Sequence, residues 1–407
     1  MCEKFGGVVQ KMMNLDQFEE VSNHAQKYKR ALQYIRGERK PITITMSELS
    51  KSLGITSSSI RKAYSEHKSL PSGNLSMTGR KERFFNLEEA TLIRSHFAKN
   101  NPMLNTFRPR SQPLSVIGIF GQKGGIKKTT TATNLAVHLS KNLGLKILLV
   151  DLDVQGSSTS HFVSPDEYNS YTENQTFAGF LETGEIKPLI QHDDCNQNLD
   201  FIPANSHLET LQLKFMARFM DSQTGNNKSV KWGEDWWNLI PDALEQVRQD
   251  YDIVVLDTAP RLDIINLSAI FATTDLVLPV PPKTGDIDSI INFIPPLIDS
   301  LRKIEKMAHK EKGFNSINHF VAGVDKSKNA LMASQVVKIF PDTICLHQMR
   351  QSDSVYANDQ HFLSLIEDIQ QKDFAGSPNT LKALKENYRE LFDEFYGIVS
   401  RNWLMGV

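Results

Sequence analysis

The chain has 407 residues, 40% of them hydrophobic, and a formal net charge of −1. That length holds two or three domains with a substantial core. The three cysteines, Cys2, Cys195 and Cys345, are scattered and odd in number, which excludes a disulfide framework or a cysteine-built metal site and points to a reducing cytoplasm. No run of 18 apolar residues occurs and the N-terminus lacks a basic-then-apolar signal, so no membrane-spanning helix is expected.

The charge is unevenly spread. Residues 1–110 carry 19 Lys and Arg against 10 Asp and Glu, a net of +9, and the remainder carries 27 against 37, a net of −10. A basic first quarter on an acidic body suggests that the first part meets nucleic acid.

In chain order, residues 13 to about 36 read as one helix, with Phe18, Val21, Ala25, Tyr28, Leu32 and Ile35 at steps of three and four. The stripe either pairs with a second copy or docks on the next domain. Residues 42–64 have the pattern of a helix-turn-helix. Thr45 caps a first helix, Met46 to Leu53, Gly54 supplies a left-handed turn, and Thr56 to Ser59 open a second helix with Ile60 facing the core. Ser57, Ser58, Ser59, Arg61 and Lys62 are the candidates for reaching the major groove or its phosphates, and Lys81 to Leu87 reads as a wing. Pro102, Pro109 and Pro113 mark 101–114 as a linker, in which Arg108 and Arg110 either touch DNA or sit in solvent.

The next stretch organises the rest. Val116 to Phe120 reads as a buried strand, Gln122-Lys123-Gly124-Gly125-Ile126-Lys127-Lys128-Thr129-Thr130 as a glycine turn, and Thr131 to Leu143 as a helix. Strand, glycine turn and helix form the context of a phosphate-binding loop, in which backbone N–H groups and a helix N-terminus face one anion. Lys128 would reach the β- and γ-phosphates and Thr129 would hold Mg²⁺. The match to G-x-x-x-x-G-K-[ST] departs at both glycines, with Gln122 for the first and Lys127 for the last. Two further apolar strands end in acids: Ile147 to Asp151, continuing to Asp153-Val154-Gln155-Gly156, and Ile253 to Asp257, followed by Thr258-Ala259-Pro260. Carboxylates at the carboxyl ends of such strands face the ligand crevice of α/β sheets, and Asp257 has the place of a Walker-B metal carboxylate.

A long irregular insert, about 160–235, separates these two segments, and Trp232, Trp236 and Trp237 read as packing it onto the sheet. Leu276 to Pro282 and Phe320 to Val324 read as further strands, and residues 286–306 and 379–400 as helices. Arg350 precedes a helix expected from about Asp353.

On these motifs the sequence resembles the ParA partition ATPases, a deviant-Walker branch of P-loop proteins. The signature lysine of that branch is matched by Lys123, the next acidic segment by Asp153 to Gly156 with Val154 in place of a common proline, and the Walker-B segment by Asp257 to Pro260. The length and N-terminal extension resemble the large ParA type of low-copy plasmids and secondary chromosomes. The expected fold is α/β, a mostly parallel P-loop sheet flanked by helices, with an N-terminal all-α or winged helix-turn-helix domain. The expected division is 1–40 dimerisation helix, 41–100 helix-turn-helix domain, 101–114 linker and 115–407 ATPase.

The resemblance implies Mg²⁺-dependent hydrolysis of ATP. Lys123, Gly124, Gly125, Ile126, Lys127, Lys128, Thr129 and Thr130 would cradle the nucleotide, with Pro281 near the adenine. Thr129, Asp153 and Asp257 would hold Mg²⁺, Asp153 would orient the attacking water, and Lys123 would cross to a second subunit's nucleotide. It implies a homodimer or a filament on DNA, non-specific binding of double-stranded DNA through Arg350, operator binding through the helix-turn-helix with repression of the chain's own operon, a ParB-type partner, no membrane, and a cytoplasmic, nucleoid-associated location. Competing readings are an operator-binding repressor switched by nucleotide and a MinD-like membrane ATPase. The acidic polar face of the last helix, with Glu390, Asp393 and Glu394, opposes the membrane reading. A reductase-type iron protein lacks its cysteines here, and a P-loop ligase leaves the N-terminal module unexplained.

Overall fold

The computed structural model describes residues 15–33, 39–75, 82–223, 232–325, 327–351, 374 and 376–405. The N-terminal part comprises α1 (Leu15–Gln33), β1 (Thr43–Thr45), α2 (Met46–Ser52), α3 (Ser57–Glu66), β2 (Asn74–Leu75), β3 (Arg83–Asn86) and α4 (Leu87–Asn100). Its three strands pair antiparallel in the order β1-β3-β2. Capping boxes open two of the helices, Thr45 with Glu48 for α2 and Asn86 with Glu89 for α4, each satisfying two backbone donors reciprocally. Gly54 takes φ +64 in the turn, a conformation that costs glycine no Cβ clash. Ile44, Met46, Leu49, Leu53, Ile60, Phe85, Ala90 and Ile93 form one small core. Two helices joined through Gly54 thus lie beside a three-stranded sheet; of the expected wing, Arg83 to Asn86 form β3, Leu87 opens α4, and Lys81 lies outside the described residues.

The body contains β4 (Ser115–Ile119), α5 (Lys128–Asn142), β5 (Ile147–Asp151), α6 (Pro165–Ser170), α7 (Phe177–Thr183), β6 (Gln191–His192), β7 (Leu199–Ile202), α8 (Leu208–Gln223), α9 (Leu239–Glu245), β8 (Ile253–Asp257), α10 (Ile264–Ala272), β9 (Asp275–Val280), α11 (Thr284–Ala308), β10 (Ser316–Val324), α12 (Ala330–Ile339), β11 (Met349–Arg350) and α13 (Pro378–Met405). The eight strands run β11-β10-β9-β4-β8-β5-β7-β6, parallel except where β6 meets β7. Alternation along the central strands explains the two-sided core. Ile117, Ile147, Leu149, Ile253 and Val255 face α5 and α13, while Val116, Leu148, Val150, Val254 and Leu256 face α7 to α11. Burial on both faces is why these strands read as unbroken apolar runs. None of the described helices is long and apolar enough to cross a membrane, and the apolar stripe of α13, Tyr388, Leu391, Phe392, Phe395 and Val399, is buried in the core.

Two expectations are corrected. The insert is not irregular: it contributes β7 and β6 to the sheet as well as α6, α7 and α8. Its strands are short and separated by polar turns, so they lack the length that marks β4 or β8. The linker is not a solvated tether either. Arg108 is buried, and its guanidinium donates to the carbonyls of Gln112, Arg248 and Tyr251, while Arg110 donates to Tyr251 O at 2.8 Å and pairs with Asp252. Neither the DNA nor the solvent reading of Arg108 holds, because its charge is spent on backbone carbonyls below the sheet. Trp232 and Trp237 are buried against the sheet as expected.

Candidate functional site

The carboxyl edge of the sheet brings together the three motifs. The loop 120–127 joins β4 to α5, with Gly125 at φ +75 and Lys127 at φ +74. Gly125 adopts that region freely. Lys127, at the N-cap of α5 without a side-chain cap, occupies the position where the usual motif has glycine, and a Cβ there carries strain. Cβ atoms built on Gly124 and Gly125 meet nothing within 4 Å, so the concave side of the loop is open to a ligand. Ile126 anchors the loop underneath, buried with Val280, Ile287 and Ile290.

Lys128 is buried and donates to Lys123 O at 3.2 Å. Burial lowers its pKa, opposed by the charges of Asp257 and Asp153. Thr129 Oγ1 donates to Asp257 Oδ2 at 2.8 Å and Ser158 Oγ donates to the same oxygen at 2.7 Å. Asp257 Oδ1 is buried and has no hydrogen-bond partner among the described residues. Asp151 lies across from Asp257 in register on the neighbouring strand. Its Oδ2 accepts from Thr159 N and Oγ1 at 2.9 and 2.8 Å, and its Oδ1 from Asp153 N at 3.1 Å. Burial pushes both carboxyls up, and the neighbouring Asp257 adds to the effect at Asp151. Asp153 is half-buried at the mouth and receives Gln155 N at 3.1 Å. Gly156 turns the chain back with φ +57, where a Cβ would stand 2.4 Å from Ala204 O.

A hard divalent cation takes oxygen ligands. An orphaned, buried carboxylate oxygen beside a threonine hydroxyl, under an open loop of backbone amides, fits that requirement and the phosphates that accompany it. Ser158 was missed in sequence reasoning, which reads Asp151 as a strand-ending acid at the crevice but gives it no role of its own. Asp151 lies two residues before Asp153, and the signal of Ser158 was faint because it is adjacent to Asp257 only in space.

Lys123 is half exposed, and its ammonium is paired with Asp286 in the first turn of α11. Pro281 is buried just past β9, and Lys283 N donates to its carbonyl at 2.8 Å.

The domain description "AAA domain" matches residues 114–311. The chain is 23% identical to SopA of Escherichia coli K12 over 401 residues, covering 96% of this chain and 95% of that protein. Among solved structures, a partition protein superposes with a TM-score of 0.63 at 18% identity, covering 96% of this chain and 98% of that one. An ATP complex of a Cyanothece McdA variant gives 0.51 at 18% identity, over 69% and 96%. These likenesses are to partition ATPases of the ParA type.

This protein is an ATPase with a P-loop α/β fold. The candidate DNA-contacting residues of α3 fall into two groups. Ser58, Arg61 and Lys62 are exposed on α3. The Ser57 hydroxyl turns inward to Ser50 Oγ at 3.1 Å, and the Ser59 hydroxyl lies 2.9 Å from that of Thr56, the residue that caps the helix. Arg350 is exposed at the end of the edge strand β11, with its backbone N–H on Asn387 Oδ1 at 2.8 Å. The helix expected after it from Asp353 lies outside the described residues.

Proposed function

We propose that this protein is a ParA-type partition ATPase that segregates a replicon by binding DNA in its ATP state and releasing it on hydrolysis, working with a ParB-type centromere-binding partner in the cytoplasm on the nucleoid, and that its helix-turn-helix binds the operator of its own operon. The observation that carries this reading is the presence on one chain of a built phosphate loop and of an exposed Ser58, Arg61, Lys62 row on the second helix of a capped helix-turn-helix. Base edges are read from such a position.

In this reading Lys128 and the loop amides of Gly124 to Thr130 neutralise the phosphates, and Pro281 lies beside the base. Thr129, Asp257 and Asp153 hold Mg²⁺, which supplies charge stabilisation to the transferring phosphoryl group. Asp153 orients the attacking water. Ser158 holds Asp257 so that its second oxygen faces the crevice. Lys123 leaves Asp286 and crosses to the nucleotide of a second copy. Helix α1 supports association, since Leu15, Phe18, Val21 and Ala25 form an exposed stripe on it of the kind that pairs with a second helix.

Binding of a random duplex at one fixed salt concentration, with ATP, with ADP and without nucleotide, tests the reading. ATP-dependent binding that Arg350→Ala abolishes and Arg61→Ala/Lys62→Ala leaves intact supports partition by the ATPase body. Binding that ignores nucleotide and disappears in Arg61→Ala/Lys62→Ala sinks it in favour of a dedicated repressor.

A further inference from the structure

Helix α5 begins at the phosphate loop and ends against the N-terminal unit. Arg94 of α4 is 1% exposed. Its Nη2 donates to Asn142 O at 2.6 Å and lies 3.5 Å from Lys141 O, carbonyls of the last turn of α5 that have no partner within the helix. The same nitrogen donates to Ser52 Oγ at 3.2 Å, the last residue of α2. The side chain crosses Gly144, where a Cβ would sit 3.0 Å from Arg94 Cδ. Nε and Nη1 find no hydrogen-bond partner among the described residues. Burying a guanidinium with two unmet donors is costly, and an apolar side chain of similar volume would fill the space at lower cost. Packing alone therefore does not account for an arginine here.

Between its ends α5 is a rod of 15 residues, about 22 Å long. Every residue from Thr131 to Asn142 is buried, and close-packed surroundings transmit displacement rather than absorb it. A phosphate at the N-terminus and a guanidinium at the C-terminus complement opposite ends of one dipole. Other contacts brace the same junction: Arg39 holds Asp193 through both oxygens at 2.7 and 3.1 Å, Ile42 N donates to Cys195 O at 2.7 Å, and Lys51 pairs with Glu386 of α13 at 3.3 Å. Arg94 differs from these in bonding the end carbonyls of α5 and the side chain of α2 together.

We propose that Arg94 is a positioning residue that couples the phosphate loop to the helix-turn-helix through α5, so that nucleotide occupancy sets the position of α2 and hence of α3. Its meaning for DNA rests on the functional reading above. Linkage makes the coupling reciprocal, so DNA on α3 changes nucleotide affinity by the same factor.

Hydrogen exchange of the α2 amides, Met46 to Ser52, in the full chain tests this without DNA. It is measured with no nucleotide, with ADP and with a non-hydrolysable ATP analogue, each with Mg²⁺. In the natural protein nucleotide changes α2 exchange by about fivefold or more. In Arg94→Met the response falls below about twofold while ADP affinity stays within about threefold, and Arg94→Lys, which keeps the cation, recovers part of the response. Ser52→Ala breaks only the α2 end of the bridge and lowers the response as well, which serves if Arg94→Met does not fold. An undiminished response in the folded Arg94 and Ser52 variants, or no response in the natural protein, overturns the proposal. Failure of the operator reading of α3 is separate, since it appears as unchanged binding of the operon's own operator DNA in Arg61→Ala/Lys62→Ala and leaves the exchange result untouched.

Discussion

Lys123 of the phosphate loop is held by Asp286 of the same chain. A lysine proposed to act on a neighbouring subunit is thus occupied at home, and any crossing must first break this pair. Lys123 is half exposed, so the contact is worth on the order of 1 kcal/mol or less after solvent screening. Asp286→Asn is therefore expected to lower the ATP concentration needed for dimerisation by about threefold to fivefold, read by light scattering or sedimentation. Lys123→Ala should remove that gain. A dimerisation curve unmoved by Asp286→Asn would show that the pair does not restrain the lysine.

Asp257 presents one oxygen to two hydroxyls and leaves the other unpartnered among the described residues. Asp257→Asn removes the charge at that oxygen. ATP turnover should fall by about a hundredfold or more, given several kcal/mol of charge stabilisation lost. Ser158→Ala, which leaves the carboxylate and frees its orientation, should lose less, about tenfold. Equal losses in the two variants would contradict the division of roles.

Lys127 sits at φ +74 where glycine is the natural occupant. Lys127→Gly removes about 1–2 kcal/mol of backbone strain and adds about 0.5–1 kcal/mol of unfolded-chain entropy. The net expectation is a nucleotide-free protein more stable by roughly 0.5–1 kcal/mol, seen as a higher urea midpoint at unchanged slope. A lower midpoint would mean that the lysine side chain stabilises the loop by more than its backbone costs.

His319 is stacked on Phe340 with ring centroids 3.9 Å apart, and burial lowers its pKa to about 4. Its folded pKa lies below the unfolded value, so the neutral form is the one the fold favours. The contribution is complete above about pH 6.5 and is lost as pH falls toward 4, amounting to up to ~3 kcal/mol. Unfolding free energy measured from pH 7 to 4.5 should therefore fall less steeply in His319→Phe than in the natural chain. Parallel pH profiles would remove His319 from the account.

The parts of this molecule that could be read from sequence are those in which chemistry and local order coincide. Strand, glycine turn and helix around Lys128 are contiguous, as are the capped α2, Gly54 and α3, and each carries its own periodicity. What could not be read is adjacency in space. Asp286 is 163 residues from Lys123, and Ser158 is 99 from Asp257, so no window along the chain joins them. Arg108 was misread for a related reason. A cation among prolines has the composition of a solvated tether, and only the fold supplies the three carbonyls it serves. Strand β7 was hidden because four residues between polar turns carry too little pattern to stand out from an insert.

The fit of Arg94 across Gly144 bears on how such proteins can be recombined. A breakpoint in the proline-rich segment near residue 105 looks like a clean seam, but it parts the arginine from the glycine and from the last carbonyls of α5 that it crosses. A chimera that takes its N-terminal unit from one relative and its ATPase body from another would join a seam cut for a different pair. Where the incoming unit has a smaller residue at position 94, the graft leaves a void over Gly144. Where the incoming motor has a Cβ at position 144, the arginine has no place to lie. The two units thus fit as a matched set in this chain, and exchanging positions 94 and 144 together is the smallest transplant that respects it.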